Sequence, residues 1–175
     1  MAQPETLSSE QIYDGKTFNV RIDDVREDDL TYKREIVVHR GSAVIVPLFD
    51  DRTVALVRQW RHPAGKYLLE LPAGSLQPGE DPRHGATREL EEEVGCTATN
   101  IEKLVEFYVS PGFVTEKMHV FLATGLTETC QNLDEDERID IVRLPLAAAV
   151  QMCRTNEIED AKTIIGLNFT ADRIA

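Results

Sequence analysis

Several things are scarce in this chain. It has three cysteines, Cys96, Cys130 and Cys153, scattered and odd in number. There is no CxxC pair, and the four histidines form no HExxH, so neither a disulfide framework nor a zinc centre is expected. No apolar run approaches the length of a membrane span. The start, MAQPETLSSEQ, lacks the basic and apolar regions of a secretory signal, so the cytoplasm is the expected compartment. Positive charge is also short: 19 Lys and Arg stand against 31 Asp and Glu, a net −12. That balance argues against DNA, RNA or an anionic membrane as a partner. A small anionic substrate stays open, since a metal ion or a local arginine can invert the field in a cleft.

What remains is an ordinary globular composition, 42% hydrophobic and 29% charged over 175 residues. That length suits one domain with a small appendage. Residues 1–14 are polar and are expected to be loose. Lys16–Val25, with Phe18, Val20 and Ile22 on one face, and Tyr32–His39 read as an antiparallel hairpin. A lone hairpin is marginal in water and must pack on the body of the protein or on a second chain. The division expected is therefore 1–40, a hairpin for dimerisation, and 41–175, the main domain. Within the latter, strands are expected at Ala43–Phe49, Thr53–Trp60, Leu68–Leu71, Ile101–Val109, Met118–Thr124 and Ile139–Leu144. Helices are expected after Asp81 and at Leu146–Arg154 and Ala161–Ala171, the last capped by Asp160. The acidic stretch Leu126–Arg138 reads as a mobile loop. Strands interleaved with helices imply an α/β fold with a mixed sheet between helical layers.

The stretch Gly74–Cys96, GSLQPGEDPRHGATRELEEEVGC, organises the chain. Asp81 can cap a helix, Pro82 suits its first turn and Gly95 its stop. Ala86, Leu90 and Val94 make an apolar stripe. Glu89, Glu92 and Glu93 fall at i, i+3 and i+4, so their carboxylates crowd one face close to the helix C-terminus, where anions are disfavoured. Arg88 can offset Glu92, but one cation does not balance Glu89, Glu91, Glu92 and Glu93. An acidic run by itself is usually a solvated surface. A hard divalent cation, Mg²⁺ or Mn²⁺, would equally relieve the crowding.

The spacing of Gly74, Glu80, Arg88-Glu89, Glu92-Glu93 and Gly95, with the apolar Leu90 among them, resembles the Nudix box of the Nudix hydrolases. Seven fixed positions at about 7% each coincide by chance on the order of once in 10⁸ start sites. Cys96 stands where a larger aliphatic is usual. Pro111, sixteen residues after Gly95, together with SPGFVTEK, REIVVHRG and VRQWR, resembles the ADP-ribose pyrophosphatase group. The likeness runs from about Arg34 to Val142.

The resemblance implies an α/β/α sandwich and divalent-metal-dependent cleavage of a nucleoside diphosphate linked to another group. Glu89, Glu92 and Glu93, with the carbonyl of Ala73, would hold the ions, and Glu80 would be ancillary. Arg88 would orient Glu92 or Glu80 rather than touch substrate. In the acidic loop, Glu135 and Glu137 are the candidates for the base. Arg61 or Arg58 could clamp the diphosphate. Alternation puts residues 58 and 60 on one strand face and 59 and 61 on the other. Glu70 either sits near the metals or is an edge-strand charge. Arg34 and Glu35 match positions that touch adenine from a neighbouring subunit, which implies a homodimer. Pro111 lies in the substrate loop, and Phe113 or Trp60 could stack on a base or belong to core or interface. The expected reaction is hydrolysis of ADP-ribose to AMP and ribose 5-phosphate. The alternatives are another nucleoside diphosphate sugar, such as GDP-mannose or ADP-glucose, and a module that binds nucleotide sugars without cleaving them.

Overall fold

The structure, a computed structural model, describes residues 3–133 and 137–175. Two compact units make up the chain: Met1–Gly41 with Phe107–Lys117, and Ser42–Glu106 with Met118–Ala175.

The first unit contains the expected antiparallel hairpin, with a third strand paired to its edge. β1 (Glu5–Asp14) pairs with β2 (Asn19–Glu27), and β2 with β3 (Leu30–Val38). β1 occupies most of the segment expected to be loose. Its sequence, ETLSSEQIYD, has no apolar alternation because all ten residues are exposed. It is held by backbone pairing and by side-chain bonds such as Ser8 Oγ to Asp24 Oδ2 at 3.0 Å and Arg26 to Glu5. A strand ordered this way leaves no period-2 signal to read. The turn after Val109 belongs to this unit. Val37 N donates to Phe113 O at 2.8 Å and Thr115 N to Val37 O at 3.0 Å, fixing that turn beside β3.

The second unit opens with β4 (Ser42–Pro47), β5 (Thr53–Arg61), β6 (Lys66–Glu70) and β7 (Ala73–Ser75), followed by α1 (Pro82–Glu89). Then come β8 (Cys96–Tyr108), β9 (Lys117–Glu128), β10 (Ile139–Pro145), α2 (Leu146–Arg154) and α3 (Ala161–Arg173). β8 starts five residues before its expected boundary, and β9 runs on to Glu128. One sheet has the order β7-β4-β9-β8, with β4 and β9 parallel; the other, antiparallel, has the order β10-β5-β6.

β4 is buried at every residue, which explains its unbroken apolar sequence. Its alternation serves two helices. A Cβ on Gly85 of α1 would lie 3.2 Å from Ala43, and a Cβ on Gly166 of α3 would lie 3.4 Å from Val46. α1 and α3 therefore cover opposite faces of the same strand, giving the expected α/β/α layering. Ala43, Ile45, Ala86, Leu90, Val94 and Cys96 pack as one core on the α1 side, where the unusual Cys96 serves as a small buried hydrophobe.

Candidate active site

The site begins with how α1 is held. Asp81 accepts from Arg83 N at 2.9 Å and His84 N at 3.4 Å, the N-cap expected. After Glu89 the coil does not continue as α-helix. Leu90–Val94 widens to a π-helical turn that ends at Gly95 with φ 67°. Such turns are rare and frequently mark functional sites. The carbonyls at this end are taken by the segment before the acidic loop. Thr129 N donates to Gly95 O at 2.6 Å, Gln131 Nε2 to Glu93 O at 2.6 Å and Asn132 N to Glu92 O at 3.0 Å. Residues 129–132, expected to be part of a mobile loop, are thus tied to the helix end.

Glu89, Glu92 and Glu93 separate by environment. Glu89 is 5% exposed and Glu93 4%. Ala73 N donates to Glu93 Oε2 at 3.0 Å. A Cβ on Gly74 would fall 1.9 Å from Glu89 Oε1, so only glycine lets β7 lie this close to the carboxylate. Burial pushes the Glu93 carboxyl up to about 8, with the charges of Glu89 and Glu137 adding to it. Burial likewise pushes Glu89 up to about 7; Arg88 opposes the rise, and Glu92 and Glu137 reinforce it. Glu92 is half-buried and turned to Arg88.

Arg88 donates to Glu89 at 2.6 Å, to Glu92 at 2.8 Å and to Glu80 at 3.1 Å, acting as the organiser of the acids. Glu80 also accepts from Gln77 N at 2.8 Å, and Arg88 holds its carboxyl below the usual range.

Glu137 is close enough for its charge to raise both buried glutamates. Glu135 lies outside the described residues. Among the described residues no three acidic, His or Cys side chains are already set around one point. The donor set nevertheless suits a hard cation. Two buried carboxylates within each other's field carry repulsion that one guanidinium does not cancel, and their ligand atoms are all oxygen.

Arg61 reaches this region from the end of β5. Its Nε and Nη2 donate to Glu70 at 2.7 and 2.8 Å, a bidentate pair. The charge of Glu93 contributes to the raised pKa of Arg61, after that of Glu70. Glu70 ends the edge strand β6 but is 1% exposed, so it is a buried ion-pair partner and not a solvated charge. Arg58 and Trp60 point the other way, as alternation requires. Trp60 meets Tyr67 edge-on at 5.3 Å, and Arg58 lies 4.9 Å above the same ring. Arg58 is thus not beside Arg61. Arg34, Glu35, Pro111 and Phe113 all lie exposed in the first unit, on β3 and on the turn bound to it.

One feature had no sequence signal: Lys162, on α3, donates to Glu70. Gly74 was marked by the box spacing, and the structure adds its reason, the space for Glu89.

Comparison with known proteins places this geometry in a family. A model described as the NUDIX domain matches residues 39–165. The chain is 39% identical over 170 residues to a methanol dehydrogenase activator of Bacillus methanolicus, covering 95% of this chain and 92% of the relative. It is 38% identical over 170 residues to an ADP-ribose pyrophosphatase of Bacillus subtilis (strain 168), with the same coverage. A crystal structure of an ADP compounds hydrolase superposes with a TM-score of 0.85 at 25% identity, covering 99% of this chain and 95% of that one.

Proposed function

The chain belongs to the NUDIX family, and on that footing we propose that it hydrolyses the pyrophosphate bond of ADP-ribose, giving AMP and ribose 5-phosphate, with Mg²⁺ or Mn²⁺ as cofactor. The observation that carries this reading is the pair Glu89 and Glu93, buried, raised in pKa and held by Ala73 N–H and the bare Cα of Gly74. Few arrangements cost a fold as much as two buried carboxylates without full compensation.

Glu89 and Glu93 are the principal candidates to hold the ions, with Glu92 and the Ala73 carbonyl completing the set. The cation supplies charge neutralisation on the phosphate oxygens. Arg88 keeps Glu89, Glu92 and Glu80 in register. Arg61, steered by Glu70, offers its remaining N–H groups to the diphosphate. Glu137 takes the proton from the attacking water, with Glu135 as the other candidate. Arg34, Glu35, Pro111 and Phe113 are assigned to the adenine and ribose end. Arg58 and Trp60, which face Tyr67, stand as a less favoured clamp and stacking group.

We also propose a homodimer in which residues 1–40 do the joining and Arg34 or Glu35 reaches the partner's site. Support comes from β1, exposed throughout, and from Leu7, Ile12, Tyr13, Phe18 and Leu30, all in solvent in one chain. A closed two-fold pair is the commonest way to cover such a face. The net charge of −12 supports a small-molecule substrate over nucleic acid or membrane, and a cytoplasmic place is the reading adopted. Among the described residues no helix is long and apolar enough to cross a membrane.

The test is kcat/KM on a panel of ADP-ribose, ADP-glucose and GDP-mannose with Mg²⁺. ADP-ribose is expected to lead by at least tenfold; a lead by GDP-mannose would replace the substrate assigned.

A further inference from the structure

Glu70 ends β6, and both its oxygens accept from Arg61. Its Oε2 also accepts from Lys162 Nζ. Lys162 is the second residue of α3 and is 6% exposed. Its ammonium lies 3.0 Å from Asp160 Oδ2. Asp160 in turn caps α3 by accepting from Thr163 N at 3.0 Å, and Leu71 N donates to Thr163 Oγ1 at 2.7 Å. The start of α3 is thereby pinned to the end of β6, so Lys162 reaches Glu70 from a rigid mount. Nothing in the proposed hydrolysis uses Lys162. Lysines are almost never this buried unless a charge partner requires them.

We propose that Lys162 is a positioning residue, which neutralises Glu70 from behind so that Glu70 can aim Arg61 without cancelling its attraction for a diphosphate. A carboxylate paired with Arg61 alone makes a neutral unit, and its negative charge would lie within hydrogen-bond reach of any anion that Arg61 tries to hold. With Lys162 added, the three groups sum to one positive charge. Arg61 is the only one of the three that is not buried, its side chain being 39% exposed. The surplus is therefore displayed where a substrate can meet it. The charge of Asp160 also reaches Arg61 and is offset only in part at the N-terminus of α3, where Asp160 accepts from Thr163 N; without Lys162, Glu70 and Asp160 would set two negative charges against Arg61. Of the five N–H groups of the guanidinium, Glu70 takes two, leaving three for phosphate oxygens.

This inference rests on the reading of Arg61 as diphosphate clamp, and a double-mutant cycle separates the two. KM and kcat for ADP-ribose with Mg²⁺ are measured for wild type, Lys162→Met, Arg61→Ala and the double variant. Lys162→Met is expected to raise KM about tenfold with kcat within about threefold, the pattern of weakened binding. In the Arg61→Ala background the same substitution is expected to change KM by less than about twofold, since its route is already gone. A structural role would instead lower thermal stability and act equally in both backgrounds. If Lys162→Met does not fold, Lys162→Gln keeps a donor to Glu70 without the charge and is expected to raise KM alike. An unchanged KM in a folded Lys162 variant, or an equal further loss in the Arg61→Ala background, overturns the proposal. An unchanged KM in Arg61→Ala overturns the clamp and the proposal with it. A wild type that cleaves a different nucleoside diphosphate sugar refutes only the ADP-ribose assignment, and the cycle is then run on that substrate, whose diphosphate is the same.

Discussion

Replacing Glu93 with Gln is expected to stabilise the metal-free protein while abolishing its activity. Burial holds the Glu93 carboxyl near 8, against an ordinary 4.5. The unfolded chain therefore releases this proton at lower pH than the fold does. Between about pH 4.5 and 8 the folded chain binds the extra proton, so wild-type stability falls as pH rises through that window. At pH 8 the linkage amounts to about 4 kcal/mol. Gln keeps an oxygen for Ala73 N–H but weakens a charge-assisted bond, which costs about 1–2 kcal/mol. The remainder corresponds to a rise in Tm on the order of 5–10 °C for a chain of this size. Removing the charge also relieves Glu89, whose carboxylate acts on Glu93. Thermal unfolding with chelator at about pH 5 and pH 8 measures this. The gap is expected to be large at pH 8 and small at pH 5, and added Mg²⁺ is expected to stabilise wild type more than the variant. A Glu93→Gln protein that is no more stable than wild type at pH 8, or a gap independent of pH, would refute the reasoning.

Gly74→Ala places a methyl 1.9 Å from Glu89 Oε1, so Glu89 must move; a drop in kcat of at least tenfold with weaker Mg²⁺ activation is expected in steady-state assays. Glu137→Gln is expected to lose about 10²-fold in kcat with KM little changed; wild-type rates in that variant, and in Glu135→Gln, would reduce the acidic loop to a solvated surface. Light scattering is expected to return twice the 19.7 kDa chain mass. Deleting residues 1–39 is expected to raise KM for ADP-ribose or to cost the fold, and a monomer at micromolar concentration would end the dimer proposal.

The legible parts of the fold are those whose burial leaves a pattern. β4 reads from its unbroken apolar run because helices cover both its faces. α1 and the turn that follows it read from Asp81, Pro82 and the stripe Ala86, Leu90 and Val94, since cap and stripe are local. β1 was illegible because it is held by backbone pairing and surface side chains, and exposure writes no period into a sequence. The site divides the same way. The spacing of Glu89, Glu92 and Glu93 announced a crowded face, and the one-turn step from Arg88 its pair with Glu92, but not that Glu89 and Glu93 are buried. The π-helical turn that completes the face, and the bonds of residues 129–132 to its carbonyls, have no counterpart in the local pattern. Glu70 looked like a choice between metal neighbour and edge charge. Its partners are Arg61, nine positions away, and Lys162, 92 positions away, and no local pattern encodes the longer contact.

Divalent-ion-dependent cleavage of ADP-ribose at the proposed Glu89–Glu93 centre is tested most directly by product analysis of purified protein incubated with ADP-ribose, with Mg²⁺ and with chelator. AMP and ribose 5-phosphate in equal amounts with Mg²⁺, no turnover with chelator, and no turnover in Glu93→Gln with Mg²⁺ are predicted. Intact ADP-ribose in the presence of Mg²⁺, or full turnover by Glu93→Gln, would contradict it.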